Sequence, residues 1–207
     1  ILGQNEVKLQ LTKSADAKRI AHAQLFIGPE GAGMLATAIA YAQYILCQNT
    51  GNENNNGNAA CNLKFSHFNH PDLHFIFPVN VTDKIKKHPT SADFLTEWRE
   101  FLSQKPYASY NDWMDKVGFK TQPFIGVDQT SEIFQKMALK SFEGGYKIMI
   151  IWCADKMNTE TSNKLLKLLE EPLDNTLFIL ITEHPKNILQ TISSRCQITK
   201  FNAIAPQ

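Results

Sequence analysis

A glycine-rich stretch near the amino terminus has the spacing of a phosphate-binding loop without its reactive side chains. Gly28 and Gly33 occupy the two glycine positions of the Walker A pattern G-x-x-x-x-G-K-[ST]. Met34 and Leu35 follow, where the pattern has a lysine that meets the β- and γ-phosphates and a hydroxyl that ligates Mg²⁺. A thioether and an isobutyl group can do neither, so phosphoryl transfer would lose its main electrostatic stabilisation. The sequence predicts that no nucleotide or other cofactor and no metal is bound here.

The segments around this loop are typical of a strand–turn–helix unit. Residues 25–27 form a short apolar run suited to a buried strand, and residues 36–46 have the composition of a helix. Between them, Gly28, Gly31 and Gly33 allow a tight turn with positive φ. Two interpretations remain open. The loop either descends from a nucleotide site and is kept as scaffold, or is an ordinary β-turn-α connection rich in glycine.

A second part of the nucleotide chemistry is also incomplete. The unbroken apolar run that leads to Asp155 is typical of a parallel strand buried on both faces. In phosphate-loop enzymes this strand ends in an acidic pair that holds Mg²⁺ and polarises water. Here Asp155 is the one carboxylate, and Lys156 takes the next position.

Composition excludes several classes of function. A net charge of +1 provides no global field that would recruit nucleic acid or a membrane surface. There is no signal peptide and no apolar run of the ~20 residues that a membrane helix needs, which favours the cytoplasm. Four scattered cysteines, at 47, 61, 153 and 196, predict free thiols in a reducing compartment. No two of them are close enough in sequence for a structural zinc site.

Five predicted strands, near residues 25, 75, 148, 177 and 197, alternate with helices. This rhythm predicts an α/β fold, with a doubly wound, parallel five-stranded sheet flanked by helices. The pattern in 5–14 predicts an amphipathic helix with Asn5 as its N-cap. The asparagine-rich tract 49–58 is polar and of low complexity, and predicts a mobile surface loop.

The segment 78–126 predicts a mostly helical insertion. Apolar residues recur at helical spacing in two stripes: Phe94, Leu95, Trp98, Phe101 and Leu102, then Tyr107, Tyr110, Trp113, Met114 and Val117. Ser91 or Asp93 would cap the first helix, and Gly118 would close the second. Basic residues are not interleaved with these aromatic side chains, so the pattern favours internal packing over a base-stacking platform.

Four stretches together carry a resemblance to a known family. They are 19–23 (RIAHA) with the loop at Gly28, 70–72 (HPD), 163–172 (NKLLKLLEEP) and 194–196 (SRC). Over about 1–77 and 127–201 the chain resembles the AAA+ module of bacterial replicative clamp loaders. The resemblance implies a RecA-like base domain of the P-loop NTPase fold, here 1–207 with the 78–126 insertion. Since the chain starts with Ile1 and stops at Gln207, it implies a fragment without the family's lid and collar domains.

The resemblance also implies roles for single residues. Gamma-type members keep the lysine and hydrolyse ATP, whereas delta-prime-type members often have a degraded loop yet keep Ser-Arg-Cys, as this sequence does. Arg195, next to Ser194, would be an arginine finger that acts in trans on the ATP of an adjacent subunit, for which a planar, permanently charged guanidinium is suited. Thr182 would be a vestigial nucleotide sensor. Many members carry four closely spaced zinc cysteines, of which Cys47 and Cys61 remain, so zinc would be lost.

The resemblance implies a role in DNA replication without catalysis by the chain itself. The protein would be an accessory, non-hydrolysing subunit of the DNA polymerase III holoenzyme, a DNA-directed DNA polymerase. Its partners would be gamma/tau-type and delta-type subunits, and, through the assembled complex, the sliding clamp and primer–template DNA. Two alternatives stay open: an active gamma-type AAA+ ATPase that binds nucleotide despite Met34, and a protein-interaction module that uses the aromatic insertion.

Overall fold

One parallel sheet organises the molecule. Its strands are β1 Ala23–Ile27, β2 Leu73–Ile76, β3 Lys147–Ile151, β4 Thr176–Thr182 and β5 Gln197–Lys200. The computed structural model describes residues 2–48, 59–142 and 145–204, and within them the five strands are arranged in the order β2-β3-β4-β1-β5. Every pairing is parallel. All five strands lie where the apolar runs predict them, which confirms the α/β class.

Helices cover both faces of this sheet. In the described residues they are α1 Asn5–Asp16, α2 Met34–Gln48, α3 Ala59–Ser66, α4 Leu95–Gln104, α5 Tyr110–Val117, α6 Asp128–Ala138, α7 Thr159–Glu170 and α8 Gln190–Ser193. Side chains of α1–α5 share one apolar cluster and those of α6–α8 another. The strands contribute to the two clusters alternately, with Ile148 and Ile150 on one face and Met149 and Ile151 on the other. The predicted doubly wound arrangement is therefore confirmed.

The amino-terminal helix begins differently from the prediction. Asn5 is the first helical residue, and the N-cap is Gln4, which has a left-handed backbone with φ 55°. The prediction of Asn5 as the cap is therefore wrong. The side-chain amide of Gln4, through Nε2, instead donates to the backbone carbonyls of Ala32 (3.1 Å) and Asn202 (2.6 Å). These bonds tie the start of α1 to the glycine loop and to the chain that follows β5.

The helices of the 78–126 segment belong to the core of the domain. Trp98 and Trp113 are 0% exposed, and the Trp98 ring stacks on Phe77 with centroids 4.1 Å apart. Trp113 meets both rings edge-on, and its indole N–H donates to the Pro78 carbonyl at 2.8 Å. Such aromatic pairs contribute beyond their buried area. The prediction of internal packing is confirmed, and these rings are not available to bind a base or a partner.

The caps of the same segment are only partly as predicted. Thr90 precedes the first helical turn and forms a capping box with Asp93, so neither predicted residue is the N-cap. Ser91 is buried, and its hydroxyl donates to Gln129 Oε1 at 2.6 Å and accepts from the Phe77 amide. A tertiary contact thus uses the side chain that local sequence favours as a cap. At the end of α5 the prediction is confirmed, since Gly118 has φ 77°.

Two of the four cysteines are not free thiols. Cys47 and Cys61 form a disulfide between α2 and α3, with their Cα atoms 5.6 Å apart. The prediction of free thiols is wrong for this pair, because sequence spacing does not show that α3 folds back onto α2. Cys153 and Cys196 are free, as predicted. The tract 49–58, for which a mobile loop is predicted, lies outside the described residues.

Two classes of feature are missing from the described part of the chain. In 2–48, 59–142 and 145–204, no group of three or more histidine, cysteine, aspartate or glutamate residues could hold a metal ion. None of the helices described above combines the length and apolar composition that crossing a membrane requires.

Candidate functional site

The glycine loop follows β1 and leads directly into α2. Gly31 and Gly33 have φ +74° and +78°, which confirms the predicted left-handed turn at these two positions. Gly28 does not have positive φ, so the prediction is wrong there. A Cβ atom on Gly28 would lie 2.8 Å from the Cβ of Phe201, and close packing against the chain after β5 is what requires glycine.

The two residues that replace the lysine and hydroxyl of the Walker A pattern are buried. Met34 and Leu35 are the first residues of α2, each 6% exposed, and both belong to the cluster beneath the loop. The Met34 sulfur lies 3.3 Å from where a Cβ on Gly28 would be. This position thus contributes apolar packing and carries no charge toward the loop.

A tyrosine of the 78–126 segment covers the loop. The Tyr107 ring follows α4, and its Cε1 atom lies 2.8 Å from where a Cβ on Gly33 would be. Its hydroxyl accepts a hydrogen bond of 2.8 Å from the Leu2 amide. Nearby, the Tyr110 hydroxyl donates to the Pro123 carbonyl at 2.7 Å. The connection between α4 and α5 therefore forms one wall of the space above the loop.

This space is a cavity of about 260 Å³ whose lining carries more negative than positive side chains. Glu30, Asp155 and Glu183 face it, together with one lysine, Lys156, whose Nζ lies 4.7 Å from the centroid of the Tyr110 ring. Burial, and then the neighbouring Glu30, raise the pKa of the Glu183 carboxyl. Like charges repel more strongly where water is partly excluded. The cavity is therefore a poor environment for a triphosphate.

The predicted sensor residue is hydrogen-bonded within the chain. Thr182 ends β4 and is 1% exposed. Its hydroxyl donates to Asp155 Oδ1 at 2.8 Å and accepts from the His184 amide at 2.9 Å. The structure thus brings together two residues that sequence analysis associates with nucleotide chemistry. The hydrogen of the Thr182 hydroxyl is already used by Asp155.

Arg195 and the glycine loop lie at opposite ends of the strands: Arg195 is at the amino-terminal end of the sheet and the loop is at the carboxy-terminal end. It precedes β5, whose first residue Gln197 pairs with Gln24, whereas the loop follows Ile27 at the other end of β1. The level of Gln24 is roughly 13 Å from that of the residue after Ile27, at ~3.3 Å per residue. The described residues that line the cavity do not include Arg195. Arg195 and the loop of the same chain are therefore separate.

The Arg195 guanidinium is half-exposed and held at two points. One terminal nitrogen donates to the Thr191 carbonyl at 2.9 Å, and the other forms an ion pair of 2.8 Å with Glu170 Oε1. Ser194 beside it is exposed, and its hydroxyl also donates to the Thr191 carbonyl, at 3.2 Å. Cys196 packs against the cluster under α7 and α8, and burial raises the pKa of its thiol to about 11.

Sequence reasoning missed four contributors to these surroundings, namely Tyr107, Glu30, Glu183 and Glu170. Sequence reasoning assigns Tyr107 to an apolar helical stripe, and nothing in the sequence indicates that its ring contacts Gly33. Glu30 and Glu183 flank recognised motifs but carry no pattern of their own. Glu170 lies inside the 163–172 stretch, and its partner Arg195 is 25 positions further along the chain.

Comparison with known proteins decides the family. The family model described as "DNA polymerase III, delta subunit" matches residues 3–205. This chain belongs to that family of clamp-loader subunits. The matched range extends on both sides of the 78–126 segment.

Curated members and relatives agree with this assignment. The chain is 31% identical over 204 residues to the DNA polymerase III subunit delta' of Bacillus subtilis, covering 99% of this chain and 49% of that protein. It is 28% identical over 189 residues to subunit delta' of Haemophilus influenzae, with 91% and 45% covered. Subunit gamma/tau of Mycobacterium tuberculosis is 26% identical over 207 residues, with 100% and 29% covered. The chain spans about half the length of the delta' relatives.

A solved structure supports the fold of the family. The crystal structure of a DNA polymerase III gamma subunit-related protein from Thermotoga maritima matches with a TM-score of 0.56 and 16% identity. The match covers 96% of this chain and 47% of that one. The five-stranded parallel sheet with helices on both faces is thus the AAA+ P-loop fold that the resemblance implies.

Proposed function

We propose that this chain is part of a delta-prime-type clamp-loader subunit that does not hydrolyse ATP and donates Arg195 to the ATP site of a neighbouring subunit. One observation carries the proposal. In the chain's own loop, the lysine position is taken by the buried, apolar Met34, whereas the half-exposed Arg195 lies at the opposite end of the strands. A catalytic cation that cannot reach its own cavity is suited to act on another.

The loop side of the proposal rests on charge. Hydrolysis requires a cation near the β- and γ-phosphates and a ligand for Mg²⁺. Met34 and Leu35 supply neither and are buried. Glu30 and Glu183 add negative charge to the cavity, and Tyr107 packs over Gly33. These features oppose the alternative of an active gamma-type ATPase.

The arginine side of the proposal rests on exposure and chemistry. A guanidinium presents a planar fork of N–H donors that matches phosphate oxygens. An arginine supplied in trans contributes ~10³–10⁵ to the rate in the phosphoryl-transfer systems where it has been removed. We place the chain beside gamma/tau-type and delta-type subunits, in the cytoplasm of a bacterium, since the relatives are bacterial DNA polymerase III subunits. Contact with the sliding clamp and with primer–template DNA would follow from that assembly.

The test uses the full-length subunit in a reconstituted complex with gamma/tau-type and delta-type partners. Arg195→Ala should nearly abolish hydrolysis at the one ATP site that faces this subunit, and total turnover should fall by that site's share. Arg99→Ala is the matched control, because Arg99 is also exposed and its Nε donates only to the Phe68 carbonyl in the described chain. Unchanged turnover of the assembled Arg195→Ala complex would remove the arginine finger from the proposal.

A second measurement tests the non-hydrolysing role directly. Titration of the isolated subunit with MgATP should give no binding in the micromolar range and no turnover. Micromolar binding with turnover would favour the gamma-type ATPase instead.

A further inference from the structure

The Arg195 guanidinium is oriented by a carboxylate from a different helix. Glu170 Oε1, at the end of α7, lies 2.8 Å from one terminal nitrogen of Arg195. We infer that Glu170 is a positioning residue, which holds Arg195 so that its remaining N–H groups point toward a neighbouring subunit's phosphates. This inference rests on the proposed function and adds a second residue to it.

Two contacts leave most of the guanidinium available. It carries five N–H donors, and the contacts to the Thr191 carbonyl and to Glu170 involve its two terminal nitrogens. Thr191 belongs to α8 and Glu170 to α7, so both helices determine the direction of the side chain. The Arg195 side chain remains 37% exposed, and that of Glu170 48%. The group is thus restrained but can still be reached from outside the chain.

The helix that carries the carboxylate is packed into the core along its other face. Leu165 and Leu169 of α7 are 1% and 2% exposed, and Ile192 of α8 is 0% exposed in the same apolar cluster. The ring of His22 lies 3.1 Å from the Leu169 carbonyl and connects the end of α7 to the start of β1. A site built on packed helices keeps its geometry better than one built on loops. The packing of α7 and α8 in this cluster therefore fixes the backbone positions from which the Glu170 and Arg195 side chains extend.

The negative end of the α7 dipole also favours a cation beside Glu170. The carboxyl end of a helix has partial negative charge and favours a nearby cation. An exposed ion pair contributes little to stability, so Glu170 is not needed to keep the fold. It is also weak enough for a triphosphate to compete with it or share the arginine. Removing the pair should widen the range of Arg195 conformations and lower the fraction that is ready to react.

The experiment is a double-mutant cycle in the reconstituted complex with the full-length subunit. Glu170→Gln keeps the shape of the side chain and removes its charge, and Glu171→Gln changes the adjacent exposed carboxylate as a control. We expect Glu170→Gln to lower kcat at the facing site two- to five-fold with KM unchanged. This corresponds to about 0.4–1 kcal/mol at 1.36 kcal/mol per tenfold. Glu171→Gln should leave kcat as it is.

The cycle separates positioning from structural support. In the Arg195→Ala background, Glu170→Gln should cause no further change in kcat. The unfolding temperature of the Glu170→Gln single variant should equal that of the parent. An equal loss of kcat with and without Arg195 would overturn the inference, as would a rise in kcat. If Arg195→Ala lowers turnover and Glu170→Gln does not, the inference fails and the proposed function stands. If Arg195→Ala has no effect, both fail.

Discussion

The closure of the glycine loop by Tyr107 predicts different costs for the same substitution at two neighbouring glycines. Gly31 and Gly33 have nearly equal φ values, +74° and +78°. A Cβ atom on Gly31 meets nothing within 4 Å, whereas on Gly33 it would lie 2.8 Å from Tyr107 Cε1. Gly31→Ala therefore measures the cost of the backbone conformation alone, and Gly33→Ala measures that cost plus the contact.

The expected magnitudes follow from these two effects. An L-residue in the left-handed region costs roughly 1–2 kcal/mol, which should be the whole effect of Gly31→Ala on the free energy of unfolding. Overpacking against the Tyr107 ring should add about 1–3 kcal/mol for Gly33→Ala. For a chain of this size 1 kcal/mol shifts the midpoint by about 2–4 °C, so Gly33→Ala should melt about 2–12 °C below Gly31→Ala.

The assay is thermal and urea unfolding of the two variants, each alone and combined with Tyr107→Ala. Without the ring, the two glycine substitutions should lower the free energy of unfolding equally, because the left-handed backbone is then the one remaining cost at each position. Equal losses with Tyr107 in place would refute the reasoning that the 78–126 segment packs on the loop. A difference that persists without the ring would assign the extra cost to something other than Tyr107.

Three further predictions concern the loop, a histidine and the disulfide. Met34→Lys with Leu35→Thr restores the Walker A residues but should not produce micromolar MgATP binding by calorimetry, since the cavity stays acidic; such binding would contradict the argument from charge. Burial, and then nearby lysines, lower the pKa of His74 from 6.5 to about 4. Because the unfolded chain binds the extra proton, the free energy of unfolding should be highest above pH 6.5 and fall by up to about 3 kcal/mol toward pH 4. His74→Gln should flatten that pH profile, and an unchanged slope would show that other groups dominate. Cys47→Ser should lower the free energy of unfolding by about 3 kcal/mol, and addition of a reductant should lower that of the parent to the same level while leaving the variant unaffected.

Much of the fold follows from local pattern. A parallel strand buried on both faces is a continuous apolar run, so β3 and β4 are visible in the sequence without any knowledge of their neighbours. The helical spacing of Trp98 and Trp113 likewise predicts buried faces, and both are 0% exposed. These predictions succeed because burial repeats along the chain with the period of the element.

The end points of elements were less predictable. Asn5 and Ser91 are both good N-cap types, yet the caps are Gln4 and Thr90. A capping side chain has several possible partners of similar strength, and the tertiary contact of Ser91 with Gln129 decides between them. Local sequence likewise does not reveal why residue 28 is glycine, since the requirement comes from close packing against Phe201, which is distant in sequence.

The sequence by itself determined the class of fold, the apolar replacement at Met34 and the family stretch around Arg195. Only the tertiary structure decided that Tyr107 lies on Gly33, that Cys47 bonds to Cys61, and that Glu170 holds the arginine. The physical reason is that residue type and periodicity report how each element is buried along its own axis. Contacts between elements depend on how the helices pack across the two faces of the sheet, and that arrangement exists only once the whole core has formed.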